Sequence, residues 1–244
     1  MNEVYKDKLK ILRLRIPIGL RYGLTLLEKV NGDLEKAEKQ FQDEMVSLTI
    51  NKTGITSEVA IKHLIKNSFD INLTIRSIDE ERYTLTELIL RKDKDKKEDA
   101  LIKIMSSVEE KYNLKRQFWL DFDSLKALPA EIYCFLTIME WLNYEGWEDY
   151  GHALSFNLNI VAEQIENKLT LNDLANSLRQ ASNIQTLVFT KNETSKDIQN
   201  YINARDELRK HEEYQKCEDE FKKQRPILIE RLYEIVKNNI DIYS

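Results

Sequence analysis

Leu27-Glu28-Lys29-Val30-Asn31-Gly32-Asp33-Leu34 returns 37 residues later as Leu64-Ile65-Lys66-Asn67-Ser68-Phe69-Asp70-Ile71. The same offset pairs Ile18 with Ile55, Gly23 with Ala60 and Phe41 with Ile78. A fixed spacing of this length marks a repeated supersecondary unit. In each copy an aspartate follows a turn and opens an amphipathic run. Leu34, Ala37 and Phe41 follow Asp33, while Ile71, Ile75 and Ile78 follow Asp70. An aspartate there accepts hydrogen bonds from the first free amides of a helix, and the apolar spacing that follows is helical. Each copy therefore reads as a short loop, a helix, an Asn-Gly or Ser-Phe turn, and a second helix.

The rest of the chain extends the helical reading. Only 6 Gly and 3 Pro punctuate 244 residues, too few for the tight turns of an all-β protein. Nine consecutive charged residues, 91–99, cannot be buried and read as a linker or a solvated helix end. Beyond them Ile132, Phe135, Leu136, Met139 and Leu142 share one helical face, with Cys134, Ile138 and Trp141 on an adjoining stripe. A helix apolar over that much of its circumference belongs at the centre of a bundle. Further helices are expected over 160–166, 171–181, 196–209, 212–223 and 227–238, with Pro129 and Pro226 each in a first turn. The expected fold is all-α: two small three-helix modules over 1–45 and 46–90, a charged linker over 91–99, and a larger helical bundle over 100–244.

Composition excludes several classes. Hydrophobic residues make up 42% of the chain, which rules out wholesale disorder, and a net charge of -5 is too mild to define a partner. The opening residues lack the charged-then-apolar pattern of a secretory signal, and the longest strongly apolar stretch, 132–139, falls far short of the roughly 20 residues a bilayer helix needs. Cys134 and Cys217 stand far apart without a pairing pattern, as thiols in a reducing compartment do. The expected location is cytoplasmic, with no membrane contact.

No Gly-rich phosphate loop, zinc-spaced cysteine pair or His-Glu metal motif occurs, so the chain reads as a non-enzyme without cofactor or metal. Among His63, His152 and His211, the most informative context is Asp149-Tyr150-Gly151-His152. A carboxylate and an imidazole three residues apart can share a metal in a helical bundle. The further ligands would be Glu140 and Glu163, which carry no matching motif, and a solvated or hydrogen-bonded His152 is the preferred reading. Cys134 lies on an apolar face, and Cys217 sits amid carboxylates that oppose a thiolate.

Charge distribution says more than total charge. From Trp119 to Glu166 nine carboxylates face a single base, Lys126, and all three tryptophans fall in the same stretch. Such a field beside aromatic anchors steers and grips a basic partner. The alternative is an ordinary solvated face over a tryptophan-containing core. From Met1 to Leu27 six bases oppose two acids, which suits either contact with RNA or plain solvation.

Two stretches resemble known families. Leu14-Arg15-Ile16-Pro17-Ile18-Gly19, Gly23-Leu24-Thr25-Leu26-Leu27 and Asn31-Gly32-Asp33-Leu34-Glu35-Lys36-Ala37 resemble the three-helix module of ubiquitin-associated domains, closest to the variant in elongation factor Ts. The second copy, from Lys52-Thr53-Gly54-Ile55 to Asp70-Ile71, is similar to it, and together they span about 10–82. The resemblance implies a protein-docking loop at Ile16, Pro17, Ile18 and Gly19; the alternative is a turn packed on the module's own core. Leu128-Pro129, an apolar helix, and Asn143-Tyr144-Glu145-Gly146-Trp147-Glu148-Asp149-Tyr150 resemble a family of small bacterial DNA-mimic proteins, in which a helix ends in an Asn-Asn-Gly-Gly-Phe turn. Asn143, Gly146, Trp147 and Tyr150 carry the match, Glu145 stands where the family has its first Gly, and the similarity spans about 115–238. The resemblance implies an often dimeric helical domain whose carboxylates imitate duplex phosphates.

The functional expectation is a non-enzymatic interaction protein in which Asp121, Asp123, Glu140, Glu145, Glu148 and Asp149, with Trp147 as apolar contact, occupy a basic partner such as a DNA-binding protein. It would not bind DNA itself, and it could form a homodimer. The alternatives are an RNA- or translation-associated docking protein using Arg13, Arg15 and Arg21, and an acidic antitoxin-like inhibitor of a basic toxin.

Overall fold

The structure is a computed structural model that describes residues 3–192 and 198–244. The described residues are all-α, without a strand, and the chain divides after Thr84 into two compact units.

In the smaller unit a short 3-10 turn, Glu3–Tyr5, leads into α1 (Lys6–Arg15), α2 (Leu20–Lys29), α3 (Leu34–Thr53), α4 (Ser57–Lys66) and α5 (Ile71–Arg82). The 37-residue offset carries both ends of α2 onto α4 and the start of α3 onto α5. The turns match in detail. Asn31 and Gly32 take left-handed backbone angles, φ 53° and 76°, and so do their counterparts Ser68 and Phe69, at 52° and 60°. The Gly32 amide donates to the Leu27 carbonyl and the Phe69 amide to that of Leu64, each at 2.7 Å, which closes both helices the same way. Asp33 then caps α3 by accepting from the Lys36 amide, and Asp70 caps α5 by accepting from Asn72 and Leu73.

The expected boundary between modules at 45 and 46 falls inside α3 and is corrected: α3 runs unbroken to Thr53. Residues 43–52 are the offset counterparts of α1, so α3 closes the first repeat with its front half and opens the second with its back half. Leu9, Leu12, Leu26, Leu27 and Phe41 form an apolar core in the first repeat. In the second, Thr49, His63 and Thr74 are buried where Leu12, Leu26 and Ala37 stood. His63 stays satisfied: Nδ1 lies 3.0 Å from Ser77 Oγ and Nε2 lies 3.0 Å from Glu81 Oε2.

The larger unit runs from Leu85. It contains α6 (Leu85–Lys92), α7 (Lys97–Lys111), α8 (Phe122–Leu125), α9 (Ala130–Trp147), α10 (Tyr150–Ala153), α11 (Leu158–Asn167), α12 (Asn172–Asn192), α13 (Ile198–Leu208), α14 (Glu212–Asn238) and α15 (Ile240–Tyr243). The charged run 91–99 is not an interdomain linker, a second correction. It ends α6, turns through 93–96, and begins α7. Leu90 and Thr86 bury α6 in this unit, where the Thr86 hydroxyl donates to the Tyr243 carbonyl at 3.0 Å and the Tyr233 hydroxyl to that of Leu90 at 3.1 Å. Charges within the run meet partners nearby: Asp93 pairs with Lys103 at 2.6 Å, and Glu98 takes both ends of the Arg225 guanidinium at 3.0 and 2.6 Å.

The central helix expected around Ile132 is α9, buried from Cys134 to Leu142. Helix α12 extends eleven residues past the expected end at 181. The expected helix over 196–209 begins at Lys196 and Asp197, which lie outside the described residues; its remainder is α13. The two helices expected over 212–223 and 227–238 are one, α14, with Pro226 inside it. A proline there removes one helical hydrogen bond and crowds the preceding turn, at about 3 kcal/mol. Burial of Phe221, Leu228, Ile229 and Leu232 on either side holds the helix continuous through the interruption. Both cysteines are free and buried, and burial pushes the Cys134 thiol up to about 12. Among the described residues no helix is long and apolar enough to cross a membrane, and no group of three or more His, Cys, Asp or Glu could hold a metal ion.

Candidate functional site

Of the six expected acidic residues only Glu140 and Glu145 lie on α9; Asp121 and Asp123 belong to α8, Glu148 follows α9 and Asp149 caps α10, and they differ in burial and pairing. Glu140 is 0% exposed. Its Oε1 accepts from the Leu120 amide at 2.6 Å and from Arg116 Nη1 at 2.8 Å, while Arg116 also grips Glu109. Burial raises the Glu140 carboxyl above its ordinary value against the pull of Arg116 and the Leu120 amide. Glu140 therefore fastens the loop before α8 to α9 and cannot meet a partner, which corrects its assignment. Glu145 is half-buried, raised by burial, and faces Arg225 at 3.8 Å. Asp121 caps α8, and Asp123 pairs with Lys126 at 2.7 Å. Only Asp121, Asp123 and Glu148 stay exposed.

The tryptophans also separate. Trp141 is buried, its indole N–H donating to the Ala153 carbonyl at 2.8 Å, and Trp119 packs edge-on against Tyr144 and Phe156. Trp147, at the last position of α9, is 78% exposed. Asn143 to Trp147 form the final turn of α9, and Gly146 is helical, so the Gly-rich turn expected from the DNA-mimic resemblance does not form. Phe118, 87% exposed, is a second bare aromatic that sequence reading missed, because nothing in its spacing separates it from the buried Trp119.

The expected docking loop divides in the same way. Ile16 and Ile18 are core residues of the first repeat, and only Pro17 and Gly19 face solvent. The Ile18 amide donates to the Ile16 carbonyl at 2.8 Å, a tight turn that drives both side chains inward. The two isoleucines are thus the packed turn that was the alternative reading.

Asp149 belongs to a different arrangement. Its Oδ2 receives Arg205 Nη2 at 2.6 Å, and its Oδ1 receives the His152 amide at 2.8 Å and lies 3.0 Å from His152 Nδ1. Burial opposes ionisation of Asp149, but the Arg205 guanidinium and the His152 amide outweigh it and hold the carboxyl down at about 2. A carboxylate only accepts, so Nδ1 carries a proton toward Asp149, and Nε2 lies 3.0 Å from the Tyr201 hydroxyl. Asp149, Gly151, Phe189, Arg205, Leu208 and Tyr214 help to line an adjoining cavity of about 250 Å³ between α10, α12, α13 and α14. Sequence reading singled out Asp149 and His152, but it had no means of supplying Tyr201 and Arg205 from a helix about fifty residues on.

These features define an all-helical protein of two units, the larger built on a buried central helix with carboxylates locked inside. The chain belongs to the YfbN C-terminal domain family, whose model matches residues 84–241 and so begins where the larger unit does. It is 36% identical over 160 residues to the Escherichia coli (strain K12) protein described as "Uncharacterized protein YfbN", a match that covers 66% of this chain and 67% of that one. No solved structure matches the chain.

Proposed function

We propose that the chain is a protein-interaction protein that grips a basic partner through Trp147 and the negative end of α9. The observation that carries this reading is the bare indole of Trp147 on the last residue of a helix whose middle, Cys134 to Leu142, is sunk in the core. A rigidly mounted tryptophan is the residue type that most often dominates a protein interface. The free carbonyls at a helix C-terminus carry partial negative charge, and exposed Glu148 adds to it, so lysine or arginine is the favoured rim on the other side.

The anchor replaces the extended anionic surface of a DNA mimic, because Glu140, Glu145 and Asp149 meet internal guanidinium groups. An antitoxin-like target fits the same chemistry. The RNA-docking alternative rests on Arg13, Arg15 and Arg21, of which Arg15 already meets Glu38.

The test is capture from native extract by the full chain and by Trp147→Ala. The variant is expected to lose at least about tenfold in affinity, as removal of a hot-spot residue does, while wild-type binding falls only modestly between low and moderate salt. Equal capture by both proteins sinks the reading.

A further inference from the structure

An aromatic ledge continues from Trp147 across the end of α9. Trp119 packs edge-on against Tyr144 with centroids 5.0 Å apart, and Tyr144 lies flat against Phe156 at 4.3 Å. Trp147 follows Tyr144 by three residues on α9, so the two side chains are neighbours on one face of that helix. Trp119, Tyr144 and Phe156 are each only half-buried and Trp147 is bare, so the ledge is open to solvent.

The ledge carries hydrogen-bond donors with nothing to donate to. Among the described residues neither the Trp119 indole N–H nor the Tyr144 hydroxyl meets a partner, and neither atom is sealed from water. The Trp147 N–H is unpartnered as well, whereas that of buried Trp141 donates to the Ala153 carbonyl. A ligand suited to this surface brings apolar bulk for the rings and bare acceptors for two indoles and a phenol. A proline-rich segment in the polyproline II conformation has that composition. Its carbonyls are fully solvated, proline has no N–H to leave unpaired against a ring, and its stiffness lowers the entropy lost on docking. Charge narrows the choice further. Glu148, exposed next to Trp147, and Asp121, exposed two residues after Trp119, repel a phosphate backbone and favour lysine or arginine beside the prolines.

We infer, resting on the reading of Trp147 as the anchor, that Trp119, Tyr144 and Trp147 dock a proline-rich, basic segment of a partner protein. Proline rings pack on the aromatic faces, while the two indoles and the Tyr144 hydroxyl donate to the carbonyls between them. A lysine or arginine at one end of the segment meets Glu148 and the negative end of α9.

The experiment titrates the full chain with a synthetic peptide of two arginines followed by eight prolines, read by tryptophan fluorescence and by the indole N–H resonances. Saturable binding is expected, with the Trp119 and Trp147 N–H signals shifted and that of buried Trp141 unmoved. Tyr144→Phe, which keeps the stack on Phe156 and deletes only the hydroxyl, should weaken binding by about fivefold, and Trp119→Phe, which deletes the N–H, by about the same. Trp147→Ala should weaken it by at least about tenfold. A peptide with glycine in place of every proline should bind at least about tenfold more weakly, because it lacks both the rings and the stiffness. Circular dichroism on each variant separates loss of contact from loss of fold. Equal binding of the glycine peptide, wild-type affinity in all three variants, or preference for oligothymidylate over the proline peptide overturns the inference. If the proline peptide does not bind while Trp147→Ala still loses capture from native extract, the anchor stands and its proline ligand is overturned.

Discussion

Glu140 and Asp149 lie in the same acidic stretch and answer to different physics. Removing Glu140 strands the Leu120 amide and one face of Arg116 inside the unit, the situation in which breaking a buried ion pair costs most. Glu140→Ala is expected to destabilise the larger unit by about 3 kcal/mol, read from urea unfolding, without weakening partner capture. Asp149 is held at about 2 against an ordinary value of 3.8. A lowered carboxyl stabilises the fold fully above its ordinary value and loses that contribution as pH falls through the lowered one. Asp149→Asn keeps the cap on α10 but not the charge, so melting midpoints measured from pH 5 to pH 2 should fall less steeply than in the wild type. Sequence made the caps at Asp33 and Asp70 legible because a cap is a local event. The partners of Glu140 and His152 are 24 and 49 positions away, and no local pattern announces them.

At the level of elements, the 37-residue offset told the truth about helices α2 to α5 and misled only about where one copy stops. The repeat pattern alone does not show that the two copies share α3, which serves both. Proline misled in the other direction. Pro129 does sit at the start of α9, whereas Pro226 lies inside α14. What distinguishes them is tertiary burial on both sides of Pro226, which sequence does not display. Because α14 is continuous, Pro226→Ala restores a backbone hydrogen bond and relieves the crowding, so the thermal midpoint should rise with a gain of about 2 kcal/mol. A fall would indicate that the chain needs a break there.

For the molecule as a whole, the all-α class was legible from the scarcity of turn residues, yet the division into units was misplaced by the most conspicuous charge run in the chain. Charge marks what stays wet, and a helix end is as wet as a linker. Leu90 on one side of the run and Leu101 on the other pack into one core, while the residues around Leu12 and Phe41 form another. Residues 85–244 expressed alone should therefore fold cooperatively, with the near-ultraviolet aromatic signature of Trp141 packed edge-on against Phe221, whereas a fragment beginning at residue 100 should not, having lost Leu90 and the Thr86 contact to Tyr243. Fluorescence-detected melting of the two fragments makes the comparison.

The doubly used rod of α3 has a mechanical consequence. Any residue added near its midpoint advances everything beyond by about 100° of rotation and 1.5 Å of travel. The trailing repeat would swing round its neighbour like a cam on a shaft, and only an insertion close to a whole number of turns would bring it back into phase. Lengthening the 93–96 bend imposes no such gearing, so a short tag threaded there is the gentler of the two edits.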